Sequence, residues 1–279
     1  GRYLGVEYQA FKTNGLYIKI RIKLGQHHRI WISMAKSEVK LISKWSSHYS
    51  TRVKIALNIK SIEYENIEDS LNPKSELLLK SNPVYARVPV LIHHDRPICE
   101  SLVILEYIDE TWPTAPSILP SHPYDRAVAR FWAAYIDDKC FPSIRSIMEA
   151  EGEEERNRSF EVLEEVLERV EGAFKECSKG KPFFAGDTIG FLDIVFGCFL
   201  GFLNVVEYRY ERKVLVDAKI PALVKWSERF VADPAVEGLI PDTVKLAELS
   251  NKCKFGFVPE KAPSSLQQVR AEENSQDNS

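Results

Sequence analysis

The run Val88-Pro89-Val90-Leu91, then His93-His94-Asp95-Arg96, then Pro97-Ile98-Cys99-Glu100-Ser101, narrows the folds open to this chain more than any other stretch. A strand opening at Val88 has a proline in its second position, where an interior strand would lose a ladder hydrogen bond. Pro89 therefore reads as an edge or turn proline, and a cis Val88–Pro89 bond is the usual reason for one there. The polar quartet 93–96 turns the chain back, and a second short strand runs into a helix beginning near Ser101. Glu100 and Ser101 then stand at a helix N-terminus, where free backbone N–H groups and the dipole favour an anion. Strand, turn, strand and helix in this order suit a site for a small extended peptide that carries a carboxylate.

The pattern before this run completes a recognisable order. Strand-like residues at Val39 to Ile42 precede a helix over Ser50 to Ile59, where Val53, Ala56 and Leu57 share one face. A strand at Tyr64 to Ile67 and a short helix near Ser75 to Leu79 follow. The result is βαβ followed by ββα, a thioredoxin-like arrangement. A right-handed crossover makes its first two strands parallel, and the tight turn makes its last two antiparallel. Pro113, Pro116, Pro120 and Pro123 then crowd into a segment that neither helix nor sheet tolerates, so residues 114–122 read as a linker. From Tyr124 onward helical patterns follow one another with no convincing strand. The fold class is α/β plus all-α: a thioredoxin-like domain over 34–113 and an all-helical domain over 123–257.

The two ends differ from this body. Residues 1–33 carry Lys12, Lys19, Arg21, Lys23 and Arg29 against the single acid Glu7. Tyr17 to Leu24 alternates like an exposed strand but has no evident partner. The serine enrichment of a transit peptide is missing, and these residues read as an unstructured extension outside the fold. Residues 258–279 are polar and poor in large apolar side chains, the composition of a disordered tail.

At 279 residues there is chain enough for two ordinary domains, and 44% hydrophobic with 28% charged residues suits two globular cores. A net charge of -3 argues against a nucleic-acid binder, which usually shows a basic face. The five cysteines, Cys99, Cys140, Cys177, Cys198 and Cys253, are odd in number, widely spaced and free of CxxC or CxxH patterns. Neither a disulfide framework nor a zinc site is indicated, and a reducing cytosol fits. The most apolar run, Phe191 to Val206, is interrupted by Asp193 and Asn204 and reads as a buried core helix rather than a membrane span.

The stretch from Met34 to Trp112, with Phe131-Trp132 and Gly186-Asp187-Thr188-Ile189-Gly190-Phe191-Leu192-Asp193 further on, resembles the glutathione transferases, most closely the plant tau class. The resemblance runs to about Cys253. It implies an enzyme that conjugates the thiolate of reduced glutathione to hydrophobic electrophiles in detoxification and stress responses. It also implies a cytosolic homodimer, with glutathione as co-substrate and no bound cofactor or metal. Trp45-Ser46-Ser47-His48-Tyr49-Ser50, between the first strand and helix, aligns with the family's Trp-x-Ser-Pro-Phe-x-x-Arg-Val pattern through Arg52 and Val53. The alignment puts the active hydroxyl at Ser47. Read from the residues alone, a serine there is as readily a helix N-cap.

The chemistry asked of such a hydroxyl is modest. A free thiol with a pKa of about 8.5 is mostly protonated at neutral pH, and the thiolate is the nucleophile. Lowering that value by about two units takes about 2.7 kcal/mol of preference for the anion. One hydrogen bond to a charged group, about 1.5–3 kcal/mol, with a helix terminus beside it, covers this without a base or a metal.

By resemblance, Glu100 and Ser101 hold the γ-glutamyl end of glutathione, and Val88 pairs its backbone with the cysteinyl unit as an added strand does. Lys74 sits near the glycyl carboxylate, and Arg87 flanks the peptide. Tyr49, Phe141, Arg145 and Phe202 line the electrophile pocket, where an Arg among aromatics suits a flat electrophile gaining negative charge. Phe131, Trp132 and Tyr135 fall at a spacing more typical of core. His48 stands where the family commonly has Pro and reads as solvent-facing. Gly190 to Asp193 matches the family's capping box, with Gly able to complete only half of it.

Two other functions compete with conjugation. A non-catalytic carrier of planar hydrophobic ligands would keep glutathione as a structural partner. A thiol-disulfide or dehydroascorbate reductase would want Cys in place of Ser47, and the nearest cysteine, Cys99, lies on a different element.

Overall fold

The computed structural model describes residues 7–13, 17–24, 28–35, 38–114 and 116–252. Its four-stranded sheet has the order β5-β4-β6-β7, built from β4 (Val39–Ser43), β5 (Glu65–Glu68), β6 (Val90–His93) and β7 (Arg96–Cys99). β4 runs parallel to β5, pairing Ile42 with Ile67, and antiparallel to β6, pairing Leu41 with Leu91. The thioredoxin-like order expected from the pattern is therefore present. Leu41, Ile42, Val90 and Leu91 are fully buried, as strands covered on both faces require. The β6–β7 hairpin closes through His94 and Asp95, both at positive φ (49° and 60°), the pairing of a tight primed turn.

Helix α1 (His48–Ile59) packs against α3 (Ser101–Thr111), and their far ends are joined by a buried ion pair, Lys60 Nζ to Asp109 Oδ1 at 2.7 Å. Asp109 also accepts the backbone N–H groups of Ile118 (2.8 Å) and Leu119 (3.0 Å), so the proline-rich segment is tied to the first domain. The short α2 (Glu76–Ser81) is capped by Ser75, whose Oγ accepts the Leu78 N–H at 3.1 Å.

Among the described residues the regular elements of the second domain are all helices: α4 (Pro123–Glu149), α5 (Glu153–Ser178), α6 (Phe191–Gly197), α7 (Leu200–Tyr210), α8 (Pro221–Val231) and α9 (Thr243–Lys252). Pro123 opens α4 at a position where a missing N–H costs nothing, and Glu153, Glu154 and Glu155 favour the dipole at the start of α5. Phe191–Tyr210 is long and apolar enough by composition to cross a membrane, yet 83% of that window is buried inside the protein. Asp193 lies at its heart, accepting the N–H groups of Gly190 (2.9 Å), Phe184 (2.9 Å) and Ala185 (3.4 Å) and the indole N–H of Trp226 (2.7 Å). Gly190 supplies no side chain to the cap. A Cβ there would lie 2.3 Å from Ala185 Cβ, so close packing excludes the family's usual Ser or Thr.

Residues 1–33, expected to be unstructured, require a correction. β1 (Glu7–Thr13), β2 (Tyr17–Leu24) and β3 (His28–Ala35) form a separate antiparallel sheet in which Tyr17 to Leu24 has a partner on each side. Antiparallel pairing on both edges satisfies the ladder that the lone alternating segment lacked. The tail from 258 lies outside the described residues.

Candidate active site

Ser47 ends the loop after β4 and caps α1. Its backbone is extended (φ -88°, ψ 110°), and its Oγ accepts the Ser50 N–H at 3.2 Å. The cap uses a lone pair and leaves the hydroxyl proton free to donate outward. Ser50, by contrast, is fully buried and accepts the Lys44 N–H at 3.3 Å, the role of a loop staple. Of the neighbouring serines, Ser47 therefore has the half-exposed hydroxyl at the helix N-terminus.

The peptide-site residues gather around the N-terminal end of β6 and the start of α3. The Val88–Pro89 bond is cis, as the strand-opening proline led one to expect, with β6 proper beginning at Val90. Glu100 enters α3 at φ 71°, a left-handed backbone that a non-glycine residue adopts only when its surroundings hold it there, and its side chain makes no capping bond. Ser101 is buried as the first helical residue. Asn82 braces the approach, donating to the Arg87 carbonyl at 3.0 Å, and the Arg87 guanidinium lies 5.6 Å from the Tyr85 ring centre. Lys74, half-buried, follows a second cis bond at Asn72–Pro73.

An aromatic cluster stands beside Ser47, and His48 is at its centre. The imidazole lies 4.0 Å from Tyr49, 4.3 Å from Phe141, 4.9 Å from Phe199 and 5.3 Å, edge-on, from Phe202. The solvent-facing placement expected for His48 is thus corrected: it is 7% exposed, because α4 and the α6–α7 junction roof the first turn of α1. Burial, and then the Arg52 charge, hold its pKa well below 6.5. Burial, and then Asp137, push the Tyr49 phenol up to about 12. Tyr49, Phe141 and Phe202 therefore come together, with Phe199 added. Arg145, one turn beyond Phe141, pairs instead with Glu149 (Nε to Oε1, 2.8 Å).

Arg52 is the residue that sequence reasoning passed over, using it only to anchor an alignment. Its side chain is wholly buried, and Nη1 reaches Asp137 Oδ2 (3.0 Å) and Ser101 Oγ (3.3 Å). Nη2 donates to Asp137 Oδ1 and to the Val195 carbonyl (3.0 Å), while Nε meets Cys198 Sγ at 3.2 Å. An arginine amid the apolar face of α1 is the signal that could have marked it. Burial pushes the Cys198 thiol up to about 11, so it faces Arg52 uncharged at neutral pH. Burial, then Glu100, raises the Cys99 thiol too, the opposite of what a reductase cysteine needs.

Among the described residues Cys99, Cys140, Cys177 and Cys198 are free thiols. One trio among them has metal-ligand character: Glu38, His93 and His94 bring candidate atoms within 4.8 Å of one another at the β6–β7 turn.

Comparison with known proteins bears on this geometry. Residues 37–110 match the family described as Glutathione S-transferase, N-terminal domain, and residues 125–234 its C-terminal domain. Glutathione S-transferase U18 of Arabidopsis thaliana is 56% identical over 220 residues, 78% of this chain and 97% of that protein. The crystal structure of a tau class glutathione S-transferase from mango is 55% identical with a TM-score of 0.76, covering 78% of this chain and 99% of that one. Rice GST1, solved in complex with glutathione, is 32% identical with a TM-score of 0.72 and covers the same shares.

Proposed function

The chain belongs to the tau class of the glutathione S-transferase family, and on that footing we propose that Ser47 is the hydroxyl through which it activates glutathione for conjugation to apolar electrophiles. The observation that carries this reading is the Ser47 geometry: a half-exposed cap hydroxyl at the N-terminus of α1 whose proton is free to donate. Such a donor stabilises a thiolate without removing a proton from it, which is why no general base is needed beside it.

In this reading the γ-glutamyl carboxylate sits on the Ser101 hydroxyl and the first N–H groups of α3, and the Glu100 carboxylate takes the γ-glutamyl amino group. The cysteinyl backbone pairs with Val88, which points its thiol toward Ser47. Lys74 and Arg87 meet the glycyl carboxylate and the flank of the peptide. Tyr49, Phe141 and Phe202 form the wall against which the electrophile lies, with Arg145 at its rim. Reduced glutathione is consumed as a co-substrate, and the bond formed is between its sulfur and the electrophilic carbon. Residues 1–33 take no part in this chemistry, and the working unit is a cytosolic homodimer acting on foreign or stress-derived compounds. Carriage of ligands without turnover is the weaker reading, since it uses the Ser47 hydroxyl only as a cap and leaves its outward proton without a task.

The test is glutathione-dependent conjugation of an aromatic halide by the purified protein. Saturable turnover with both substrates is the expected result. Tight binding of an apolar dye with no turnover would overturn the proposal.

A further inference from the structure

The aromatic cluster contains one group that aromatic packing alone does not explain. His48 Nε2 is buried and has no hydrogen-bond partner among the described residues, although the ring is surrounded by Tyr49, Phe141, Phe199 and Phe202. A buried polar atom left unpaired is a standing cost to the fold, and native proteins carry few of them. Tyr49 and Phe141 are only half-buried, so the cluster opens to solvent on their side. The ring stays uncharged at neutral pH, and an uncharged imidazole nitrogen is either a donor or an acceptor according to its tautomer.

We propose that His48 is a specificity-determining residue of the electrophile pocket, its Nε2 selecting aromatic electrophiles that carry a polar ring substituent, such as a phenolic hydroxyl, over unsubstituted ones. This rests on reading the cluster as the electrophile pocket. A ligand bearing such a group completes the missing bond. A ligand lacking it leaves Nε2 unpaired in the complex. Sites built this way discriminate far more strongly than apolar pockets of the same shape. A merely structural His48 would affect both kinds of ligand alike.

The test compares benzylideneacetone with 4-hydroxybenzylideneacetone at saturating glutathione, in the full chain and in His48→Phe and His48→Gln. The quantity read is the ratio of the two kcat/KM values relative to the unsubstituted protein, so that the intrinsic reactivity of the ketones cancels. His48→Phe should lower that ratio, hydroxylated to parent, by about tenfold or more, whereas His48→Gln should hold it within about threefold. An unmoved ratio in His48→Phe overturns the inference while leaving the transferase reading intact. Failure of the unsubstituted protein to turn over either ketone removes the pocket assignment and the inference together. Should His48→Phe not fold, the imidazole nitrogen resonances of the unsubstituted protein decide. A shift of Nε2 with the hydroxylated glutathione conjugate and not with the parent conjugate supports the inference, and equal shifts or none overturn it.

Discussion

Ser47 Oγ accepts the Ser50 backbone N–H at 3.2 Å, so one hydroxyl caps a helix and still has its proton to offer. The structural and the chemical reading of this serine are compatible, and a single substitution separates them. Ser47→Ala should cost about 1 kcal/mol of stability through the lost cap. It should leave glutathione affinity nearly intact and slow conjugation at neutral pH by roughly 30- to 150-fold. The deficit should shrink as pH rises, because the thiolate then forms unaided. Initial rates across a pH series check this, and a wild-type rate with unchanged pH dependence would reassign the residue.

At the other end of the peptide site, Ser101 is buried and Glu100 is held at φ 71°. Glu100→Ala and Ser101→Ala should each weaken glutathione binding by about tenfold or more, since each removes a partner of a charged ligand group. Calorimetric titration measures this directly. Wild-type affinity in both variants would place the γ-glutamyl end elsewhere.

The His48 imidazole, held below 6.5 first by burial and then by Arg52, makes stability depend on pH with a definite sign. The groups facing it are the rings of Tyr49, Phe141, Phe199 and Phe202, together with the Arg52 charge. The unfolded chain takes up a proton at His48 near its ordinary value, and the folded chain does so only at lower pH. The contribution is therefore complete above 6.5 and is lost as pH falls below it, by about 1.4 kcal/mol for each pH unit. Denaturant unfolding at neutral and mildly acidic pH should show a slope in the unsubstituted protein that exceeds that of His48→Phe by this amount, the difference cancelling groups such as His93 and Asp193 that titrate in both. Equal slopes would mean the ring is not buried in solution.

Asp193 gathers three backbone N–H groups and the Trp226 indole in the core. Asp193→Ala strands these donors, and a loss of about 3 kcal/mol or more is expected. Its effect should fall on folding yield and thermal midpoint rather than on the turnover of the folded fraction. Gly190→Ser, which on paper completes the capping box, should destabilise instead, because its Cβ would press on Ala185 at 2.3 Å. A rise in midpoint for Gly190→Ser would contradict the packing argument.

Much of the first domain was legible because its signals are local. The hairpin announces itself through a polar turn between short apolar runs, and Ser47, Glu100 and Ser101 are recognisable as residues at helix starts. Phe141 and Phe202 could be paired with Tyr49 only by resemblance, since they lie on elements far apart in the chain. The burial of His48 was not legible, because it is decided by Phe141, Phe199 and Phe202 arriving from the second domain. Ring centres 4.0 Å apart show that His48 and Tyr49, adjacent in sequence, serve one cluster, against the usual divergence of neighbours. Tyr17 to Leu24 lacked a partner on paper because its neighbours, Glu7–Thr13 and His28–Ala35, were not read as strands, although Asn14-Gly15 between the first two runs is a hairpin signal.

Arg52 carries a prediction of its own. Arg52→Met leaves Asp137 facing the space of a lost guanidinium and strips a donor from the Val195 carbonyl, so a loss of about 3–5 kcal/mol is expected. Arg52→Lys should recover only part of it, since an ammonium cannot span four partners on three elements. Thermal unfolding of the two variants checks both statements, and near-native midpoints would show the pair to be dispensable.

The same guanidinium sets a rule for exchanging parts between related enzymes. It sits on α1 of the first domain, while Asp137, Val195 and Cys198 belong to α4 and the α6–α7 segment of the second. A chimera that joined this first domain to a foreign helical domain without an acid at the position of Asp137 would bury an unmatched positive charge at the seam. The two halves, separable as architecture, are at this contact a single unit of inheritance, and a helical domain can be exchanged only together with an acid to meet Arg52.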